Sequence, residues 1–393
     1  MADPWLTIIG MTDDSAGGLA PASRTALAQA EVIIGGARHL ELAKAGPRGL
    51  AWPVPFSLAP VLAARGKRTV MLTSGDPFWF GAGGQLAQEL SPAEWRVHSA
   101  PSTFSMIAAR LGWRLEEVTC HGLHAAPFAR LRAVLAPRAR MICLLRDAAA
   151  PAAFAEWLTS HGAGQAVLHI CERLGGPKES VRKTTAAAFD VTEISPPVAA
   201  AVELPSGVGL SRASGLADDL FSHDGQITKR PVRALTLSAL APKPGARLWD
   251  LGAGSGSISV EWCLAGGQAI SVERREDRMG HILENIDRFG LDHRMQTVLA
   301  DALPFVKEDE PPDAVFVGGG AGAALFDALY ARLEKGSRLV ANAVTLETEA
   351  LLTRLHADRG GELMRIDLST AGPLGGMRGW QAARPVVQWA VTL

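Results

Sequence analysis

The sequence predicts an α/β protein of two domains, and three observations carry this. The chain has 393 residues, where a domain takes roughly 100–200. Short apolar runs alternate with Ala-rich helical stretches along both halves, the pattern of α/β folds. Between the two series lies "PSGVGLSRASG" at 205–215, whose Gly and Ser content reads as a linker. A surface loop inside one large domain is the competing reading of that stretch. The expected division is a first domain over 1–205, a linker over 206–215 and a second domain over 216–393.

In the first series "LTIIG" (6–10), "EVIIG" (31–35), "RTVMLTSGD" (68–76), "ARMICLL" (139–145), "QAVLHI" (165–170) and "PPVAAAVEL" (196–204) read as strands. "PASRTALAQA" (21–30) reads as a helix with Pro21 in its first turn. "TFSMIAARLG" (103–112) reads as another, ended by Gly112. In the second series the strands are "RLWDL" (247–251), "AISVE" (269–273), "MQTVLA" (295–300), "DAVFVGG" (313–319) and "RLVANAV" (338–344). Between them "REDRMGHILENIDRFG" (275–290) is helical. Met279, Ile282, Leu283, Ile286 and Phe289 are expected on one face and Gly290 as the C-cap.

Composition narrows the function. Lys plus Arg number 39 and Asp plus Glu 40, for a net charge of -1, which argues against a nucleic-acid footprint. Cys120, Cys143, Cys171 and Cys263 form no C-x-x-C pair, so neither a structural zinc site nor a disulfide framework is expected. His121 and His124 beside Cys120 lack a fourth partner, and no metal is expected. No Lys or Arg precedes Arg24, unlike the start of a signal peptide. No apolar run reaches the roughly 18 residues of a membrane span. A cytoplasmic protein is expected.

"DLGAGSGS" after the 247–251 strand places glycines at 252, 254 and 256. A dinucleotide fingerprint would want its third glycine at 257, which is Ser257. Without an adjacent Lys the loop is poorly equipped for triphosphate and suits a less anionic nucleoside, S-adenosylmethionine (SAM). Glu273 ends the next strand, where a carboxylate can accept both ribose hydroxyl protons. Asp301 and Ala302 follow the third strand and "VGGG" (317–320) ends the fourth. Ligands of open α/β sheets bind at these carboxyl ends. Taken alone, Glu273 also reads as an acid at a helix start.

These residues, with "HDGQITKRPVRALTLSAL", "WDLGAGSGSISVEW", "LVANAVTLETEALL" and "GPLGGMRGWQAARPVVQW", resemble the Rossmann-like class I SAM-dependent methyltransferases. More narrowly, residues 215–393 resemble the decarboxylating precorrin methyltransferases of cobalamin biosynthesis. The resemblance implies that Thr228 and Gly252, Ala253, Gly254, Ser255 and Gly256 contact SAM. It places Glu273 at the ribose, where many relatives carry Asp, and Asp301 with Ala302 at the adenine.

In the first half "TSGDPFWFGAGG" (73–84) ends a strand, and "APSTFSMIAARLGW" (100–113) puts hydroxyls at a helix start. A plain turn and plain capping are the structural readings of these two. With "LTIIGMTDDSAGGLAPASRTALAQAEVIIGGARHL", "TCHGLH" and "CERLGGPKESV", residues 4–204 resemble the tetrapyrrole methylases, the class III SAM-dependent methyltransferases. That resemblance implies two α/β lobes with SAM between them, touching Gly10, Gly75, Asp76, Pro77, Ser102, Thr103, His121 and Gly122. Two departures stand out. "GMTDDSAGG" is not the usual Gly/Pro-rich first loop, and Leu123 follows His-Gly where relatives often have Arg.

The order of the two halves is similar to the bifunctional precorrin methyltransferases. The implied activity is methylation of carbons 5 and 15, with loss of the ring C acetate carboxyl, from precorrin-6B to precorrin-8X. SAM at two sites per chain is implied, and a homo-oligomer. The catalytic acid or base, if there is one, stays unassigned. A carboxylate-rich substrate calls for Arg. Lys229, Arg230, Arg233 and Arg378 are the candidates, with Asp224 and Asn342 near the pocket; a solvated surface charge is the competing reading of each basic residue. An RNA methyltransferase would want a basic face and stacking aromatics, against a pI of 6.8 and Tyr330 as the single tyrosine. A nicotinamide-dependent oxidoreductase is opposed by Ser257, and an inert binding module by cofactor loops in both halves.

Overall fold

The structure, a computed structural model, describes residues 4–14 and 16–393. Ser15 of the first loop and residues 1–3 of the N-terminal segment lie outside the described residues. The chain forms two compact units. The first holds the residues up to Ala126 together with Leu135–Val208, and the second Pro127–Val134 with Gly209–Leu393.

The first unit has two five-stranded sheets. One is parallel throughout: β1 (Leu6–Met11), β2 (Val32–Gly35), β3 (Gly49–Ala51), β4 (Thr69–Ser74) and β5 (Trp95–His98), in the order β3-β2-β4-β1-β5. β1 is buried on every residue, as a parallel strand covered on both faces should be. Ile9, Met11, Val70 and Leu72 pack to one side with Leu27. Leu6, Ile8 and Met71 pack to the other with Val61 and Leu86. The second sheet comprises β6 (Val118–Gly122), β7 (Arg140–Leu144), β8 (Val167–Glu172), β9 (Ser180–Thr185) and β10 (Val198–Glu203). Its order is β6-β7-β10-β8-β9, with only β6 and β7 parallel.

The second unit is built on a seven-stranded sheet. Its strands are β11 (Arg247–Leu251), β12 (Gln268–Glu273), β13 (Met295–Leu299), β14 (Ala314–Val317), β15 (Arg338–Ala343) and β16 (Glu362–Ile366). A separate hairpin of β17 (Ser369–Leu374) and β18 (Met377–Ala382) precedes the last strand, β19 (Val386–Thr392). The sheet order is β13-β12-β11-β14-β15-β19-β16, and only β19 runs against its neighbours. The order reverses between β11 and β14, which makes their carboxyl ends the switch point where ligands of such sheets bind.

Every strand expected from the alternation is present. The sequence reading lacked β3, β5, β6, β9 and β16–β19, most of which are edge or antiparallel strands whose pairing is decided by distant residues. One expectation about a face is corrected. In the helix Glu276–Phe289, Ile282 and Phe289 are buried but Leu283 is 52% exposed. Asn285 takes the inward position instead, because the buried stripe runs 282, 285, 289 at the helical period.

Candidate active sites

In the second unit Gly252, Gly254 and Gly256 have φ of 71°, 61° and 71°, the left-handed region in which glycine is at ease. Each has a different reason to be small. A Cβ on Gly252 would stand 2.7–2.8 Å from the backbone of Gly319, so the loops after β11 and β14 touch main chain to main chain. A Cβ on Gly256 would meet the Met295 methyl at 2.9 Å. At Gly254 the nearest atom is Gln226 O at 3.9 Å: that direction is open, a cradle a side chain would fill.

Glu273 joins the loop directly. Its Oε2 accepts the Gly254 N–H at 2.8 Å and its Oε1 the Arg275 N–H at 3.0 Å, and it is buried. Ala253 and Ser255 sit within the same loop, with Ala253 N bound to Val272 O at 3.1 Å. Asp301 caps the helix Ala302–Glu308 by position but makes no side-chain capping bond and is exposed. Thr228 lies in the loop before the helix Arg230–Leu240. That "HDGQIT" loop is tied to the helix Glu276–Phe289 by Arg278, which binds Asp224 at 3.1 Å and Gln226 at 2.7 Å.

Two buried neighbours of the loop were not singled out as site residues from the sequence. Asn285 donates to Ser255 O at 2.9 Å and to Ser222 O at 2.9 Å while accepting Ser222 N–H at 2.8 Å, so one amide holds the Gly-rich loop against the 222 segment. Its signal was a polar residue at a buried helical position. Asp250 precedes the loop, fully buried, with Oδ2 accepting from the Ser259 hydroxyl at 2.8 Å. Its Oδ1 has no hydrogen-bond partner among the described residues. Burial pushes this carboxyl up to about 6, opposed by the Ser259 bonds and reinforced by the Glu273 charge.

The basic candidates divide. Arg230 and Arg378 are exposed, one opening a helix and the other on β18. Arg233 is corrected: it is 0% exposed and cannot present its head to a substrate. It pairs with Glu261 at 2.6 Å and Asp218 at 3.0 Å, and lies 4.6 Å over the Phe221 ring. Asn342 is corrected in part. Both ends of its amide are engaged inside the fold, Nδ2 with Thr236 at 2.9 Å and Oδ1 with Gln388 at 3.0 Å.

In the first unit the strand ends converge likewise. A Cβ on Gly10 would run into the Gly75 carbonyl oxygen; Gly75 has φ of 56° and donates to Met11 O at 2.8 Å. Asp76 accepts the Phe78 N–H at 2.8 Å, as an Asx turn. Ser102 caps the helix Thr103–Leu111 through Ser105 N at 3.0 Å. Gly75, Asp76, Ser102 and Thr103 line one cleft of about 370 Å³. The buried Thr73 hydroxyl lines it too, without a partner among the described residues. Gly10, Pro77, His121 and Gly122 do not line it; Gly122 sits behind the Phe80 ring, which does. His121 Nε2 is buried without a partner among the described residues, and burial lowers its pKa.

Asp13, from the unusual first loop, also lines the cleft. It is buried and paired with Arg38 and, at 2.8 Å, with Arg173. Beside them His39 Nε2 meets Ser74 Oγ at 3.0 Å and Arg38 Nη2 at 3.1 Å. Burial first, and Arg38 second, bring this imidazole down to about 4, against the pull of Asp13. Because the folded pKa lies below the ordinary 6.5, the unfolded chain takes the proton first. The contribution of His39 to stability is therefore full above pH 6.5 and is lost as pH falls towards 4. The drop amounts to about 3 kcal/mol at one pKa unit per 1.4 kcal/mol. His39→Gln is expected to flatten the unfolding free energy of the first unit over that window, as read by denaturant titrations at successive pH values.

Two α/β units with glycine loops at the carboxyl ends of their parallel strands have the architecture of the SAM-dependent methyltransferases. The family model for tetrapyrrole (corrin/porphyrin) methylases matches residues 6–190, and the model for the precorrin methyltransferase domain matches residues 219–393. A precorrin-6Y C(5,15)-methyltransferase [decarboxylating] from Sinorhizobium sp. is 45% identical over 403 aligned residues, covering 100% of this chain and 97% of the relative. Its namesake from Mycobacterium tuberculosis (strain CDC 1551 / Oshkosh) is 38% identical, covering 98% of this chain and 99% of the relative. Among solved structures, the C-terminal domain of precorrin-6Y C5,15-methyltransferase from Rhodobacter capsulatus is 55% identical. It covers 47% of this chain and 100% of its own, with a TM-score of 0.46. The chain belongs to the family of decarboxylating precorrin-6Y C(5,15)-methyltransferases.

Proposed function

We propose that this chain methylates a precorrin at carbons 5 and 15 and removes one acetate carboxyl, with a separate SAM site in each unit. The substrate is a precorrin-6 of cobalamin biosynthesis, precorrin-6B in our reading, and the product precorrin-8X. The observation that carries the reading is the cradle at Gly254, where a Cβ would meet nothing closer than Gln226 O at 3.9 Å, backed by Glu273 through the 2.8 Å bond. SAM supplies a methyl that is already electrophilic, on a sulfonium. What the protein contributes is alignment and exclusion of water. In the second unit Gly252–Gly256, Glu273, Asp301, Ala302 and Thr228 would hold the cofactor. In the first unit Gly75, Asp76, Ser102 and Thr103 would do so.

The test is the product formed from a precorrin-6 with SAM: a gain of two methyls and a loss of one carbon dioxide support the reading. Calorimetry should show two SAM equivalents per chain. Asp76→Ala is expected to slow carbon-5 methylation by about tenfold, about 1.4 kcal/mol, by releasing the Phe78 N–H that shapes the loop. Carbon-15 methylation should be unchanged in the same product analysis. A homo-oligomer in the cytoplasm completes the proposal. The four cysteines are unbridged thiols, which suits a reducing compartment, and sedimentation would give the subunit number.

A further inference from the structure

One face of the helix Glu276–Phe289 binds the loop that precedes the helix Arg230–Leu240. Arg278, His281 and Asn285 stand on that face at helical spacing. His281 Nδ1 meets the Ser222 hydroxyl at 2.8 Å, and Asn285 holds the Ser222 main chain. On the other side of the loop Ile227 enters the core of the unit. The residues between, His223 to Gln226, form a tight turn with its own internal bonds. His223 Nδ1 accepts the Gly225 N–H at 2.9 Å, and Asp224 Oδ1 accepts the Gln226 N–H at 2.9 Å. Among the described residues, the hydrogen bonds that tie this turn to the rest of the unit come from Arg278. They run from Nε to Asp224 Oδ2 at 3.1 Å and from Nη2 to Gln226 Oε1 at 2.7 Å.

The turn leaves one acceptor free. The Gln226 main-chain oxygen accepts no hydrogen bond among the described residues, and it is the atom that stands 3.9 Å from a Cβ built on Gly254. A carbonyl oxygen only accepts, through two lone pairs, so its complement in a ligand is an N–H or O–H donor. In the proposed function the ribose of SAM falls to Glu273 and the adenine to Asp301 and Ala302. The ammonium of the methionine end is the strong donor that remains, and a charged donor makes the stronger bond. Arg278 suits the task of aiming this oxygen. Its guanidinium is a planar fork, so one side chain sets Asp224 and Gln226 together. The Gln226 N–H first, and the guanidinium beside it, hold the Asp224 carboxyl below its ordinary range.

We infer that Arg278 is a positioning residue of the carbon-15 site: it fixes the turn of residues 223–226 so that the Gln226 carbonyl oxygen stands at the Gly254 cradle and accepts the ammonium of bound SAM. In this role Arg278 touches neither SAM nor the precorrin. The inference rests on the proposed function and adds to it the device that orients the methionine end of the cofactor.

The test compares the full chain with its Arg278→Met and Gln226→Ala variants. Alanine keeps the carbonyl at 226 and removes only the tie to Nη2, on an exposed residue, so this variant is expected to fold should the methionine variant not. Arg278→Met is expected to raise the SAM KM of carbon-15 methylation by about tenfold at unchanged kcat, a loss of uniform binding. Gln226→Ala should raise it less, and Arg278→Lys should recover part of the loss through Asp224. Methylthioadenosine has the adenosine of SAM but no amino acid. Its Ki as an inhibitor of carbon-15 methylation should be the same in the wild type and the variants. An unchanged SAM KM in folded, active variants would overturn the inference alone. So would a matching rise in the methylthioadenosine Ki, which would assign the turn to the adenosine end. If the wild-type chain transfers no methyl to carbon 15 of a precorrin, the proposed function falls and this role with it.

Discussion

Gly254→Val is expected to lower carbon-15 methylation by at least about 100-fold, about 2.7 kcal/mol of transition-state stabilisation, while carbon-5 methylation continues. The choice among the three loop glycines is physical. At Gly252 a new Cβ meets the Gly319 main chain at 2.7–2.8 Å, so the loops must part and the sheet mouth is damaged. At Gly256 the Met295 and Ile282 side chains stand in the way. At Gly254 a new Cβ meets only Gln226 O, at an ordinary 3.9 Å, so the fold bears chiefly the left-handed penalty of roughly 1–2 kcal/mol. The lost volume is that of the ligand. The bond from Gly254 N to Glu273 gives the same variant a second effect, since a shifted N–H would loosen the carboxylate. Product mass spectrometry separates the two methylations, and calorimetry should count one SAM equivalent instead of two. Loss of both methylations in a folded variant would argue against independent sites.

Arg233→Met is expected to destabilise the second unit by about 3–5 kcal/mol, the cost of leaving a buried ion pair with one member. The carboxylate left behind, Glu261, is buried and also accepts Gly215 N–H at 2.7 Å and Leu216 N–H at 2.9 Å. It therefore fastens the start of the unit to the helix Ser257–Leu264, and the guanidinium neutralises it. Arg233 further spans Thr228 O and Leu216 O, so its removal also frees the loop that carries Thr228. Urea unfolding of the second unit should move to lower midpoint with little change of slope. The double variant Arg233→Met with Glu261→Gln should recover part of the loss, because the orphan charge is gone. A substrate anchor would behave otherwise: a raised KM at unchanged stability.

Much of the site was legible because its chemistry is local. Gly252, Gly254 and Gly256 follow one strand and Glu273 ends the next, so adjacent parallel strands β11 and β12 bring them together. The same holds for Gly75 and Asp76 at the end of β4. Arg233 was misread because beside "DGQIT" it looks like any basic residue at a helix start. Its partner Glu261 lies on another helix and its burial follows from packing. Leu283 and Asn285 show the same limit, since both fit a helical stripe and only the neighbouring 222 and 255 segments decide which one faces inward.

The sequence by itself determined the two α/β series, the left-handed glycine turns at their strand ends and the carboxylate beside one of them, because backbone conformation and alternation are short-range properties. Tertiary structure alone decided the rest. It set β19 between β15 and β16, turned Arg233 inward to Glu261, and gathered Phe80, Asp13 and Arg38 on one cleft. Those outcomes depend on pairing residues far apart in the chain, where burial and desolvation are set by what arrives from elsewhere.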